Sequence, residues 1–156
     1  MTEMTDMPLR IDGVAVAIDD QAILLRGPSG SGRSDLALRL IDEGARLVSD
    51  EQVELHRHGD QIFVAAPSLM PPGLRGRIEA RGLGLVPVPH VPDAKRLTWV
   101  IDMAAPATID RLPAAREAHY LGVAIPLLKL DPLALSATAK LRLAVKCGPS
   151  LIMGRE

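Results

Sequence analysis

A stretch of glycine, serine and one basic residue has the composition and spacing of a phosphate-binding loop. Its residues are Gly27, Pro28, Ser29, Gly30, Ser31, Gly32, Arg33 and Ser34. This is the Walker A spacing, in which glycines let backbone N–H groups approach phosphate oxygens and the final hydroxyl ligates Mg²⁺. A helix that begins at the loop also directs the positive end of its dipole at the anion. The alternative is a surface turn without a ligand. The apolar run before the loop and the amphipathic segment after it favour phosphate binding.

Arginine stands at position 33, where the Walker A pattern has lysine. A lysine ammonium is a compact charge on a flexible stem, whereas a guanidinium is a wide planar fork. Arg33 therefore keeps a positive charge beside the anion but displaces the contact with the terminal phosphate. We expect nucleotide binding to tolerate this exchange better than catalysis.

A second segment places two acids directly after an apolar run. Leu47 and Val48 lead into Asp50 and Glu51, which resembles a Walker B arrangement downstream of a phosphate loop. Either acid can hold Mg²⁺ through water or accept a proton from an incoming hydroxyl. The alternative is a solvated acidic turn, since such pairs are mostly surface features. The phosphate loop one short helix upstream favours the site.

A third segment combines arginines and a glutamate within a glycine-rich stretch. Arg75, Arg77 and Arg81 can bind a transferred phosphate in a bidentate manner, and Glu79 can be a metal ligand. A charged, mobile surface loop is the alternative.

Apolar runs and helical periodicity predict the elements that position these residues. The predicted strands cover residues 14–18, 22–25, 46–49, 53–57, 62–65, 83–88 and 97–101. Leu36, Leu40 and Ile41 predict a helix that begins near Arg33 and ends at Gly44. A final helix is predicted over 136–145. The predicted fold is a single α/β domain containing parallel strands, with the phosphate loop between a strand and a helix.

Composition excludes several classes of partner. The 156 residues include 18 Lys and Arg against 19 Asp and Glu, with 2% aromatic residues. This charge balance disfavours a nucleic-acid partner, and no apolar run of about 18 residues predicts a membrane span. Cys147 is the one cysteine, which suits the cytoplasm. We expect residues 1–9 to form a disordered tail and residues 10–156 to form one catalytic domain.

The three segments together resemble the HPr kinase/phosphorylase family. Residues 48–53 follow that family's Val-Ala-Asp-Asp-x-Val-like sequence, and residues 79–84 reproduce its Glu-x-Arg-Gly-Leu-Gly signature in full. Residues 110–112 match a later Asp-Arg-Leu. The resemblance extends from about residue 10 to residue 147. It implies the P-loop-containing, PEP carboxykinase-like fold of the family's C-terminal domain.

The resemblance also implies an activity and residue roles. It implies an ATP- and Mg²⁺-dependent serine kinase that acts on HPr, the phosphocarrier of the sugar phosphotransferase system, and the reverse phosphorolysis. Residues 27–34 would bind nucleotide, and Ser34 and Glu79 would ligate Mg²⁺. Asp50 would be the general base, with Glu51 sharing that role. Arg111 would stabilise the transferred phosphate, and Arg81 belongs to the signature.

The sequence departs from the family in three places. Arg33 replaces lysine, Asp12 stands near the position of a catalytic histidine, and no Pro-Gly-Arg-Asn-type loop is found near residues 125–132. A degenerate homologue that regulates by binding nucleotide or phosphocarrier therefore remains the alternative. An unrelated small nucleotide kinase is a weaker one, because it leaves residues 79–84 unexplained. The sequence is compatible with either a monomer or a homo-oligomer.

Overall fold

Strands dominate the computed structural model, which describes residues 7–152. Its strands are β1 (Leu9–Asp12), β2 (Val14–Ile18), β3 (Gln21–Arg26), β4 (Arg46–Ser49), β5 (Gln52–His58), β6 (Gln61–Ala65), β7 (Arg77–Ala80), β8 (Gly84–Pro87), β9 (Lys95–Met103), β10 (Arg116–Tyr120) and β11 (Val123–Leu130). The α-helices are α1 (Arg33–Asp42) and α2 (Ala137–Cys147), and short 3₁₀ turns cover Pro72–Leu74, Pro106–Thr108 and Pro149–Leu151.

Five strands of the main sheet, β3, β4, β5, β9 and β11, run in the same direction, and four of them lead into segments at one edge. The sheet order is β1-β5-β6-β9-β3-β2-β4, with β11 also paired to β9 and β10 paired to β11. β3 and β11 both pair in parallel with β9. β2 is antiparallel to both β3 and β4, so β4 points the same way as β3. The segments that follow β4, β3, β9 and β11 therefore share one edge of the sheet, where α/β sheets commonly bind ligands.

The sheet has a separate hydrophobic core on each face. On one face, α1 and α2 pack through Leu36, Leu40 and Leu141 against Leu25 and Trp99. The Trp99 indole donates to the Ala144 carbonyl at 3.0 Å, which joins α2 to β9. On the other face, Val123 and Ile125 of β11 pack with Leu24, Val53 and Leu55. Both helices thus lie on the same side of the sheet.

An arginine clamp joins the ends of β3 and β9 on the face opposite the helices. Arg26 Nε and Nη2 donate to the two carboxylate oxygens of Asp102 at 2.7 and 2.9 Å, and Nη1 donates to the Tyr120 hydroxyl at 3.0 Å. The bidentate pair and the hydroxyl raise the pKa of Arg26. The clamp fixes the point at which the chain leaves β3.

The structure confirms the predicted α/β domain and both predicted helices. α1 begins at Arg33 as expected, and β5 and β6 form the expected hairpin. The sequence analysis missed four strands: β1, β7, β10 and β11. Residues 1–6 of the predicted tail lie outside the described residues, and β1 already begins at Leu9. Within residues 7–152, no helix is both long and apolar enough to cross a membrane.

Candidate functional site

The segment between β3 and α1 forms a tight loop that leads directly into the helix. The Ser31 amide donates to the Pro28 carbonyl at 3.0 Å, and the Leu36 amide donates to the Gly32 carbonyl at 2.9 Å. Gly32 precedes α1 at φ 101° and supplies no side chain to cap the first turn. The first turn therefore presents uncapped amides, which is the arrangement that binds anions at a helix amino terminus.

Two glycines of the loop leave little room for a side chain. A Cβ on Gly27 would lie 2.6 Å from Ser31 Oγ and 3.2 Å from the Met103 side chain. A Cβ on Gly32, whose φ of 101° also favours glycine, would lie 3.3 Å from the Pro132 ring. Ser31 Oγ is buried and makes no hydrogen bond within residues 7–152. This compact cradle with an unsatisfied hydroxyl fits the phosphate groups of a nucleotide.

Asp50 joins three separate elements at this loop. Its Oδ1 accepts a hydrogen bond from Ser34 Oγ at 2.8 Å, and its Oδ2 accepts one from the Glu79 amide at 2.9 Å. Ser34 lies in the first turn of α1, Asp50 follows β4, and Glu79 lies on β7. The structure thus brings together the predicted loop, the predicted acid and the predicted glutamate.

Glu51 follows in a strained turn. Its φ is 69°, a left-handed conformation that is uncommon for residues other than glycine. The Gln52 amide donates to the Asp50 carbonyl at 2.8 Å across this residue, as in a γ-turn. Two further bonds hold the turn: the Gly13 amide donates to the Glu51 carbonyl at 2.9 Å, and Ser49 Oγ donates to the Gln52 carbonyl at 2.6 Å. Such strain persists where the surrounding structure fixes it.

The Glu51 carboxyl lies against Glu79, and this contact raises its pKa. The hydrogen bond with the Glu79 side chain is the largest cause, followed by partial burial and by the negative charges of Asp50 and Glu79. The Arg33 guanidinium opposes the rise. Arg33 is therefore close enough to the acids to act on their ionisation. The acidic cluster holds a proton on Glu51 more readily than an exposed glutamate does.

The residues present fit a magnesium ion that is shared with a phosphate group. Within residues 7–152, no group of three or more His, Cys, Asp or Glu side chains is arranged to hold a metal on its own. Mg²⁺ commonly uses one or two carboxylates together with phosphate oxygens and water. The Ser34 hydroxyl and the Asp50 carboxylate lie together next to the loop, and the Glu79 carboxyl lies against Glu51, so these three residues offer that donor set.

A cleft of about 520 Å³ opens beside the acidic cluster. Asp50, Glu51 and Glu79 line one part of it, and Leu69 and Leu74 line another. No residue of α1 lines this cleft, which gives a second reactant access to the acids.

The predicted arginines occupy different surroundings. Arg81 is exposed in the turn between β7 and β8, directly after the strand that carries Glu79. Arg77 lines the cleft. Arg75 binds backbone carbonyls rather than facing the acids: its Nη2 donates to the carbonyls of Pro67 and Ser68 at 2.9 and 3.2 Å. Arg111 is exposed in the connection between β9 and β10, outside the cleft lining, so the structure does not bring it to the acids.

The sequence analysis missed two residues that hold the Glu51 turn. Gly13 acts through its backbone amide, and no sequence signal identifies that role. Ser49 carries a detectable signal, because it is a polar residue at the end of the apolar run that precedes the acids, and it is buried.

Comparisons with known proteins identify the family to which the chain belongs. The model of the HPr Serine kinase C-terminal domain family matches residues 5–138. A protein named HPr kinase/phosphorylase from Exiguobacterium sp. is 43% identical over 77 residues, which are 49% of this chain and 24% of that protein. A protein of the same name from Lacticaseibacillus casei (strain BL23) is 37% identical over 92 residues, which are 56% of this chain and 28% of that protein.

The aligned region therefore spans only about a quarter of these curated relatives. A solved structure, that of the Hpr(Ser) kinase/phosphatase from Coxiella burnetii, superposes with a TM-score of 0.74 at 24% identity. The superposition covers 88% of this chain and 94% of that chain, and it establishes the likeness of the folds. Because the family model matches most of the sequence, the chain belongs to the HPr Serine kinase C-terminal domain family.

Proposed function

We propose that this protein transfers a phosphoryl group from Mg²⁺-ATP to a serine hydroxyl of an HPr-like phosphocarrier protein. The main support for this proposal is the position of Asp50, which accepts hydrogen bonds from Ser34 at the phosphate loop and from the Glu79 amide. Family membership supports the same reaction class. In phosphorolysis of the phosphorylated carrier, inorganic phosphate would accept the phosphoryl group, which gives pyrophosphate and the free serine hydroxyl, and the same residues would surround the phosphates.

Each group has a distinct proposed task. The backbone N–H groups within residues 27–34, which Pro28 lacks, hold the phosphate oxygens, and Arg33 adds a positive charge beside them. Ser34, Asp50 and Glu79 would hold Mg²⁺, which neutralises charge on the phosphates when it is bound. The acceptor hydroxyl would enter through the cleft that Asp50 and Glu51 line.

Asp50 and Glu51 divide the proton chemistry. Asp50 already accepts two hydrogen bonds, which hold its carboxylate against Ser34 and the Glu79 amide. The raised pKa of Glu51 makes that carboxyl, once ionised, a stronger proton acceptor than an ordinary glutamate. Asp50 thus positions Ser34 and the metal, and either acid can take the proton of the acceptor hydroxyl.

The test is phosphate transfer, followed by intact mass, from labelled ATP and Mg²⁺ to candidate phosphocarrier proteins. Asp50→Asn should lower the rate about 10²- to 10⁴-fold, the range typical of positioned acid–base groups. Glu51→Gln separates the base role from the positioning role. Transfer that is unaffected by Asp50→Asn would exclude Asp50 as a base or metal-positioning group.

A nucleotide-binding regulator without turnover is the second candidate function. Arg33 and Asp12 favour it. Asp12 is the last residue of β1, is exposed and pairs with Gln52 of β5, so it lies next to the Glu51 turn. An aspartate there does not supply the proton transfer that a histidine would. Nucleotide binding without phosphate transfer to any phosphocarrier would support this function over the kinase.

A further inference from the structure

The segment after β11 lies on the opposite flank of the phosphate loop from the acids. Along the shared sheet edge, the order of the parallel strands is β4, β3, β9 and β11, with β2 between β4 and β3. Asp50 follows β4, the phosphate loop follows β3, and residues 131–135 follow β11. We call residues 131–135 the leucine segment. The loop therefore has an acidic flank and an apolar flank.

Two contacts hold the leucine segment against α1 and the glycine that precedes it, and two hydrogen bonds within the segment fix its turn. The Pro132 ring packs against Gly32, where a Cβ would lie 3.3 Å away. The Arg39 guanidinium donates to the Pro132 carbonyl. Asp131 Oδ1 accepts the Leu133 amide at 3.0 Å, and the Asp131 carbonyl accepts the Ala134 amide at 3.2 Å. The segment is thus a fixed turn beside the loop.

This fixed turn presents two leucines to solvent. Leu133 is 85% exposed and Leu135 is 104% exposed, whereas Pro132 between them and the loop is buried. Scattered exposed leucines are ordinary on protein surfaces. Two of them on a turn that touches a phosphate-binding glycine form an apolar surface within reach of the rest of a bound nucleotide.

The direction of the bound nucleotide follows from charge. The reacting phosphate must face Ser34, Asp50 and the cleft, because the metal donors and the acceptor path are there. The nucleoside must then leave the loop on the other flank, away from the carboxylates. On that flank the leucine segment offers an apolar surface of the kind that packs against the face of a base.

We propose that Leu133 and Leu135 form the platform on which the nucleobase of the bound nucleotide packs. This inference rests on the proposed nucleotide-dependent function and adds the location of the base to it. No covalent step involves the segment. The leucine segment contributes binding energy through contact with the nucleoside. A ligand that consists of phosphates alone lacks a nucleoside and does not gain this energy.

The test compares ATP with inorganic tripolyphosphate, each with Mg²⁺, by calorimetry on the full chain. ATP should bind the unmodified protein more tightly than tripolyphosphate. Leu133→Ser and Leu135→Ser should each weaken ATP binding about fivefold to tenfold, as expected for the loss of part of a buried leucine contact. Tripolyphosphate binding should not change. Leu143→Ser, which removes a 60% exposed leucine on α2, is the matched control and should leave both affinities unchanged.

The outcomes separate the platform from the phosphate loop. Equal affinities for ATP and tripolyphosphate, or an ATP affinity that is unchanged in both leucine variants, would overturn the platform and leave the phosphate loop intact. Failure of both ligands to bind would overturn the nucleotide function and the platform together. A change of sedimentation in Leu133→Ser without a change in ATP affinity would assign the leucines to contact between copies of the chain and overturn the platform.

Discussion

Ser34 Oγ lies 2.8 Å from Asp50 Oδ1, although 16 positions separate the two residues. α1 leads the chain away from the loop, and β4 returns it to the same sheet edge. The length of this helix-and-strand unit therefore places the acid beside the hydroxyl. A Walker A serine and an acid at the end of a nearby parallel strand together form the donor pair for a phosphate-bound metal.

The close approach at Gly27 predicts a selective loss of nucleotide binding. Gly27→Ala places a methyl group 2.6 Å from Ser31 Oγ and 3.2 Å from Met103, so the buried Ser31 hydroxyl must leave its position in the loop or the loop must open. Gly30→Ala is the matched comparison, because its φ of 83° is strained for alanine but no atom lies within 4 Å of the added Cβ. We expect Gly27→Ala to weaken ATP binding at least about tenfold more than Gly30→Ala. Calorimetry measures both, and equal losses would assign the effect to backbone strain alone.

The raised pKa of Glu51 predicts a pH-dependent gain in stability for Glu51→Gln. A carboxyl whose pKa is raised by folding stabilises the fold below its ordinary pKa, and this stabilisation is lost as the pH rises through the folded-state pKa. Glutamine imitates the protonated form at every pH. Glu51→Gln should therefore raise Tm at about pH 7 and leave it unchanged near about pH 4.

Thermal unfolding at both pH values checks the Glu51 prediction. Glu117→Gln, at an exposed position on β10, serves as the control and should show no such pH-dependent difference. A Tm gain for Glu51→Gln of equal size at both pH values would contradict the contact between Glu51 and Glu79.

The sequence predicted the loop and the acids because they carry local signals, and it missed what depends on distant partners. Glycine spacing and the following periodicity placed Gly27–Ser34 and α1 correctly. β10 was missed because its five residues, of which only Ala118 is buried, lack an alternating apolar pattern. Asp50 accepts a hydrogen bond from the Glu79 amide, and Arg75 donates to the Pro67 carbonyl. Both contacts depend on the paths of loops, which local sequence propensity does not encode.

We expect the affinity for ATP to depend on which residue replaces Arg33. α1 begins at Arg33, and the positive charge of Arg33 opposes the rise in the pKa of Glu51. Arg33→Ala should weaken ATP binding about tenfold or more, because the loop loses its side-chain cation. Arg33→Lys should preserve or improve affinity, since an ammonium fits between phosphates with less steric demand.

Turnover in the Arg33 variants separates the two candidate functions. Phosphate transfer that appears only in the double variant Arg33→Lys with Asp12→His would support a decayed kinase. Robust transfer by the unmodified protein would support a working arginine variant. An unchanged ATP affinity in Arg33→Ala would contradict the placement of Arg33 at the phosphates.

Ser49 predicts a positioning effect that reaches the chemistry through Glu51. Its buried hydroxyl donates to the Gln52 carbonyl at 2.6 Å and closes the turn in which Glu51 holds φ 69°. Ser49→Ala leaves that carbonyl without this donor, which should cost about 1 kcal/mol of unfolding free energy. The relaxed turn should also move the Glu51 carboxyl away from Glu79. We therefore expect kcat for phosphate transfer to fall while KM for ATP is unchanged, because Ser49 lies outside the phosphate loop. Ser49→Thr retains the hydroxyl and should restore kcat, whereas a loss of stability without any change in kcat would limit Ser49 to a structural role.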